Sequence, residues 1–137
     1  MTTTNYITAL DQRRLQLLAD SLAGDEYMDR YANMLVNVLE SANVVGSEEI
    51  PADVVTMNSR VRYVDATANG VKEFTLVYPE DADAAAGRVS VLSPVGNALL
   101  GMKVGQMANL RLPTGGELAI RVLGIVYQPE SEGHLTS

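Results

Sequence analysis

Cysteine and tryptophan are absent from this chain of 137 residues, and phenylalanine and histidine occur once each, as Phe74 and His134. Without a thiol there is no disulfide, no thiolate zinc site and no cysteine nucleophile, which fits a reducing compartment. The one histidine stands in a polar tail that offers no partners in sequence, so no catalytic or metal role and no Ser/His/Asp triad is expected of it. No stretch approaches the roughly 18 apolar residues of a membrane span. Residues Met1 to Tyr6 lack a basic segment followed by an apolar run, and a cytoplasmic protein without membrane attachment is expected. Basic residues are also scarce. Ten Lys and Arg face seventeen Asp and Glu, a formal charge of −7, so little or no direct nucleic-acid binding is expected.

What is present is a globular composition, with 47% hydrophobic and 20% charged residues, enough for one core without covalent staples. The length suits one domain, or a compact domain with a small helical appendage. Charge is distributed unevenly. Residues 1–50 hold eight acidic and three basic side chains, and residues 51–137 hold nine and seven. The first part is therefore an acidic arm, suited to a partner with a basic entrance.

Residues 8–43 carry helical periodicity. Thr8 followed by Asp11 is a helix start, and Leu15, Leu18 and Leu22 then share a face at three- and four-residue steps. Gly24 interrupts, and Asp25 is placed to cap a second helix in which Met28, Tyr31, Leu35, Val38 and Ala42 repeat at seam spacing. The expectation is a short antiparallel, coiled-coil-like helical hairpin over residues 1–46. Its helices of about 14 to 17 residues reach only about 20–25 Å. Tyr27, Tyr31 and Met34 leave apolar area outside the two-helix seam, which predicts self-association, a homodimer formed through the arm.

A joint follows at 44–51, marked by Gly46, Ser47 and Pro51. Residues 54–57 are expected to form a short edge strand, with further strands over 60–64 and 71–78 joined by an Asn69-Gly70 turn. Residues 79–87 are acidic and alanine-rich. They read as a surface loop, because Glu80, Asp81 and Asp83 lack the rigid spacing of a metal loop. No metal site and no cofactor is expected.

From Arg88 to Gln128 the signals are dense. A strand containing Val89 and Val91 meets Ser93, a good N-cap, and Pro94, whose fixed φ suits the first helical position. Gly101 can end that helix in a left-handed conformation. Residues 107–112 and 118–127 then read as strands joined through Pro113, Thr114, Gly115 and Gly116. The order Ser93-Pro94-Val95-Gly96-Asn97-Ala98-Leu99-Leu100-Gly101, Val104-Gly105, Leu112-Pro113-Thr114-Gly115-Gly116-Glu117 and Val126-Tyr127 resembles the C-terminal domain of the bacterial GreA/GreB transcript-cleavage factors. Upstream, the run Ile50 to Val61, and the ending Tyr127-Gln128-Pro129-Glu130, are similar to a short member of the same family. The resemblance covers roughly residues 50–130 in specific motifs, and the first 50 only in general layout.

That resemblance implies an α+β protein, with the helical hairpin joined to an FKBP-like antiparallel sheet carrying one short helix over residues 50–137. It implies RNA polymerase as partner, with Leu92, Ser93 and Pro94 docking near the secondary channel. Relatives often carry a polar or acidic residue where this chain has Leu92. It also draws attention to Asp25, Glu26 and Asp29 at the arm tip, since the family's tip acids help hold a magnesium ion and a water in the polymerase active centre. Gly24-Asp25 echoes the opening of the family's tip motif, but the rest does not follow in register. The same three acids also suit a helix start, through capping and the helix dipole. A non-enzymatic transcription regulator without catalytic residues is therefore expected. The alternatives are a true cleavage-stimulating elongation factor and a prolyl isomerase. The latter has only fold analogy behind it, and few aromatic rings are available for a proline pocket.

Overall fold

The computed structural model describes residues 5–65, 70–111 and 115–133. Asn69 of one expected turn, Leu112, Pro113 and Thr114 of the other, and His134 lie outside the described residues.

The chain begins with β1 (Tyr6–Thr8), which runs straight into α1 (Ala9–Leu22). Thr8 is the N-cap, with extended backbone and a side-chain oxygen that accepts from the Asp11 N–H at 3.0 Å. After residues 23–28 comes α2 (Asp29–Ser41), which packs along α1 and leads into β2 (Asn43–Val45). β1 and β2 pair in parallel, Ile7 opposite Val44, and clasp the base of the two helices. This clasp falls partly in the segment expected to be a loose joint.

Two details of the arm differ from the sequence pattern. α2 starts at Asp29, about a turn later than Asp25 would dictate, because residues 25–28 are spent in a separate turn. Its buried side chains are Ala32, Leu35 and Leu39, so the inward face is rotated away from the expected Tyr31 and Val38 stripe. The rotation has a physical cause. Leu15, Ala19, Leu35 and Leu39 pack in one continuous core with Val61, Phe74, Leu76, Ile120 and Val122 of the sheet, so the helices serve two contacts at once.

The second part is a five-stranded sheet of β3 (Arg60–Asp65), β4 (Val71–Val77), β5 (Arg88–Ser90), β6 (Met107–Arg111) and β7 (Glu117–Tyr127), in the order β5-β4-β3-β7-β6. Three of the pairings are antiparallel, but β5 lies parallel to β4, so the sheet is mixed rather than antiparallel throughout. The parallel pair needs a crossover, which residues 78–87 supply with two single 3-10 turns at 79–81 and 84–86. Asp83, one of the acids of that acidic segment, caps the second turn through the Ala85 and Ala86 N–H groups.

The expected strand over 54–57 is not one. Val54 makes an isolated bridge to Lys103, while Val54, Val55, Thr56 and Met57 are all buried. Backbone groups there find individual partners: the Val55 N–H donates to the Met102 carbonyl at 2.9 Å, and the Gln128 side-chain amide donates to the Pro51 and Val54 carbonyls at 2.8 Å each. Among the described residues no helix is long and apolar enough to cross a membrane.

Candidate functional site

The loop entering α3 (Pro94–Leu99) is built almost entirely by one serine pair. The Ser93 N–H and hydroxyl both donate to the Ser90 carbonyl, at 3.0 and 2.8 Å. The Ser93 Oγ then accepts from the Gly96 N–H at 3.0 Å, as an N-cap should, and Ser90 Oγ accepts from the Leu92 N–H at 3.0 Å. Gly96 is required at that spot, because a Cβ would collide with the Ser90 carbonyl oxygen. Leu92, Ser93 and Pro94 are thus held together, half-buried, on a tight and internally satisfied turn.

The far end of α3 is fixed to the arm. Gly101 has φ of +83°, and its carbonyl accepts from the Tyr6 N–H at 3.2 Å. The Asn5 side-chain amide donates to the Leu100 carbonyl at 3.3 Å. A side chain at position 101 would press on Asn5 and the Tyr6 carbonyl, so glycine serves both the left-handed turn and the close approach of β1. One short helix therefore presents the Leu92–Pro94 loop at one end and anchors the arm at the other.

The tip holds the three acids together in sequence without converging them. Asp25 Oδ1 accepts from the Tyr27 and Met28 N–H groups at 2.8 and 3.2 Å, and Asp29 Oδ1 accepts from the Gly24 N–H at 3.4 Å. Two of the three carboxylates are accordingly engaged in local turn-making, and Asp25 caps the turn before α2 rather than α2 itself. All three residues are exposed, and among the described residues no group of acids or histidines could hold a metal ion.

Sequence reasoning missed the most unusual carboxyl. Asp11 is 1% exposed, facing inward from the first turn of α1. One oxygen accepts from the Met57 N–H at 3.1 Å, while the other has no hydrogen-bond partner. Burial raises its pKa to about 7, opposed by the Met57 bond and reinforced by nearby Glu130. Glu130 in turn accepts from the Thr56 hydroxyl at 2.7 Å, and Thr56 shares a 2.7 Å hydrogen bond with Ser59. Burial also raises the Tyr78 hydroxyl, with Asp11 adding to the rise and Arg14 beside it counteracting. The signal was available: Asp11 lies one turn before Leu15, on the apolar face. Beside this joint, an open cleft of about 530 Å³ is lined by Arg14, Leu17, Leu18, Tyr78 and Pro79, among others. Tyr78 is the one aromatic ring among the described residues that line it.

Residues 50–127 match the family described as "Transcription elongation factor, GreA/GreB, C-term". The "Regulator of nucleoside diphosphate kinase" of Escherichia coli K12 is 38% identical over 130 residues, 95% of this chain and 94% of that protein. "Transcription elongation factor GreA" of Clostridium beijerinckii is 38% identical over 91 residues, 66% of this chain but only 56% of that protein. Among solved structures, a "Prokaryotic transcription elongation factor GreA/GreB from Nitrosomonas europaea" superposes with a TM-score of 0.72 at 37% identity, covering 92% of this chain and all of that one. The chain belongs to the GreA/GreB family of transcription elongation factors.

Proposed function

We propose that this protein is a non-enzymatic transcription regulator that binds RNA polymerase near its secondary channel, docking as the Gre factors do without stimulating transcript cleavage. In this reading residues 50–137 are an FKBP-like docking domain and residues 1–46 its short arm. The observation that carries it is the α3 element, which ties a rigid Leu92-Ser93-Pro94 loop at one end to the base of the arm at the other. Docking through the loop thereby fixes where the arm points.

The expectation of no cleavage rests on the arm. Helices of 14 and 13 residues span only about 20 Å. Asp25 and Asp29 are committed to backbone N–H groups, which leaves Glu26 as the tip acid without a hydrogen bond among the described residues. Magnesium takes one or two carboxylates with waters and phosphates, so Glu26 is the arm's single uncommitted candidate for an ion shared with the polymerase. The test is a binding measurement on core RNA polymerase, repeated with a Gre factor as competitor, and a parallel assay on backtracked elongation complexes. Saturable, competed binding with no shortened RNA is expected. Lack of binding or of competition would refute the docking, and shortened RNA would favour the cleavage-stimulating alternative.

A further inference from the structure

The sheet has a second face that the arm does not cover. Side chains directly opposite across an antiparallel pair share a face, so the register places Arg60, Arg62 and Val64 with Glu73 and Val71 on one neighbour and with Arg121 on the other. Met107 of β6 continues the row beside Arg121. This outer face is basic within an acidic protein. Glu73 is shared by the Arg60 and Arg62 guanidiniums at 2.9 and 3.2 Å, which hold its carboxyl below the usual range, and the two arginines exceed it in charge. Arg121 points its guanidinium at the Met107 sulfur, 3.3 Å away, and pairs with no carboxylate among the described residues. The face is apolar as well. Val71 is 60% exposed and Met107 47%, and Leu123 and Val126 stand out beside the irregular points of β7.

The arm tip has the opposite character. Tyr27 is 82% exposed and flanked by Asp25, Glu26 and Asp29. Within one molecule the two surfaces cannot meet, because the arm packs on the inner face and the sheet stands between them. Between molecules they can. A dent of about 190 Å³ on the outer face, lined by Val64, Met107, Ala119 and Arg121, has an apolar floor and a guanidinium at its rim, which suits a tyrosine ring.

We infer that the tip of one copy docks on the outer sheet face of a second copy, with Tyr27 seated in the dent under Arg121 and Glu26 beside the arginines. The occupant is this chain itself because the same sequence supplies both an exposed acidic-apolar tip and a basic-apolar socket, whose Arg121 has no carboxylate partner among the described residues. A nucleic-acid strand fits less well, since exposed aliphatic side chains interrupt the arginines. The contact is heterologous, so it either closes reciprocally into a dimer or runs on head to tail. It withdraws the tip from any other partner, so self-association and use of the arm exclude each other. The charged rim makes the contact weaken with salt.

The test is sedimentation of the full chain over a wide range of concentration, at low and high salt. The average mass is expected to rise with concentration and to fall at high salt. Arg121→Glu and Glu26→Lys should each weaken association about tenfold, and an equimolar mixture of the two variants should restore it, because each then offers the other a complementary surface. Tyr27→Ser should weaken association too; mixing it with Arg121→Glu should restore one tip–socket contact, intact tip on intact socket, whereas mixing it with Glu26→Lys should restore none. Both charge changes lie on exposed sites, and unchanged thermal melts would confirm folding. A mass that stays monomeric at every concentration overturns the inference, and so does association that both charge variants retain.

Discussion

The base and the tip of the helical arm use the same residue type for opposite ends. At the base, Asp11 is buried, accepts one N–H from the sheet side of the molecule and leaves an oxygen unmatched in the core. At the tip, Asp25 is exposed and accepts two N–H groups from its own turn. The base carboxyl spends stability on a contact spanning 46 positions of chain; the tip carboxyl makes a local turn and leaves its surroundings open. Position along a helix, more than residue identity, decides whether an acid is architecture or surface.

The contrast can be broken most forcefully in the core of the base. Leu35 is fully buried between the arm and the sheet, and Leu35→Ala should destabilise by about 3–5 kcal/mol in urea unfolding. A loss below about 1 kcal/mol would mean that arm and sheet do not share a core. Next comes pH. Folding raises the Asp11 pKa from 3.8 to about 7, so the folded state binds that proton more tightly than the unfolded chain does. Its contribution is therefore complete below pH 4, fades as pH rises through 7, and is level above; the fall amounts to about 2–4 kcal/mol. Asp11→Asn should flatten that slope and stabilise the protein at pH 8 by about 1–3 kcal/mol, read from denaturation at pH 5 and 8. Equal slopes in the two proteins would show that Asp11 ionises freely.

Smaller effects sharpen the comparison at the Leu92–Pro94 loop and the tip. Ser93→Ala removes the cap of α3 and should cost about 1 kcal/mol, while polymerase binding weakens by more than that loss explains. At the tip, Glu26→Gln should change the melting free energy by no more than about 0.5 kcal/mol. A large loss there would make the tip a structural element, contrary to its exposure.

How much was legible in the sequence follows the same division between local and distant causes. The Ser93 cap, Pro94 at the first position of α3 and the left-handed Gly101 were readable because each is decided within a turn. The Thr8 cap was readable for the same reason. The β1 and β2 clasp was not, since three-residue strands have no periodicity and their pairing joins positions 6–8 to 43–45. The parallel placement of β5 depends on how residues 78–87 cross over, which no local pattern encodes. The rotation of α2 and the burial of Asp11 have the same origin: the sheet, absent from any reading of the arm alone, sets which side of each helix is inside. At the candidate site, the Leu92–Pro94 loop could be named from sequence, whereas the commitment of Asp25 and Asp29 to backbone groups emerged only with the turn they form.

The hydrogen bond from the Tyr6 N–H to the Gly101 carbonyl has a consequence for synthesis. A ribosome makes residues 6 and 101 many seconds apart, at about 5–20 residues per second. Until the later residue emerges, the leading strand lacks the neighbour that seats it, and the helices behind it lack the sheet that fills their core. The arm precedes the sheet in the chain yet waits for it to settle, so truncating translation before Gly101 should yield a nascent chain whose arm is open to proteolysis.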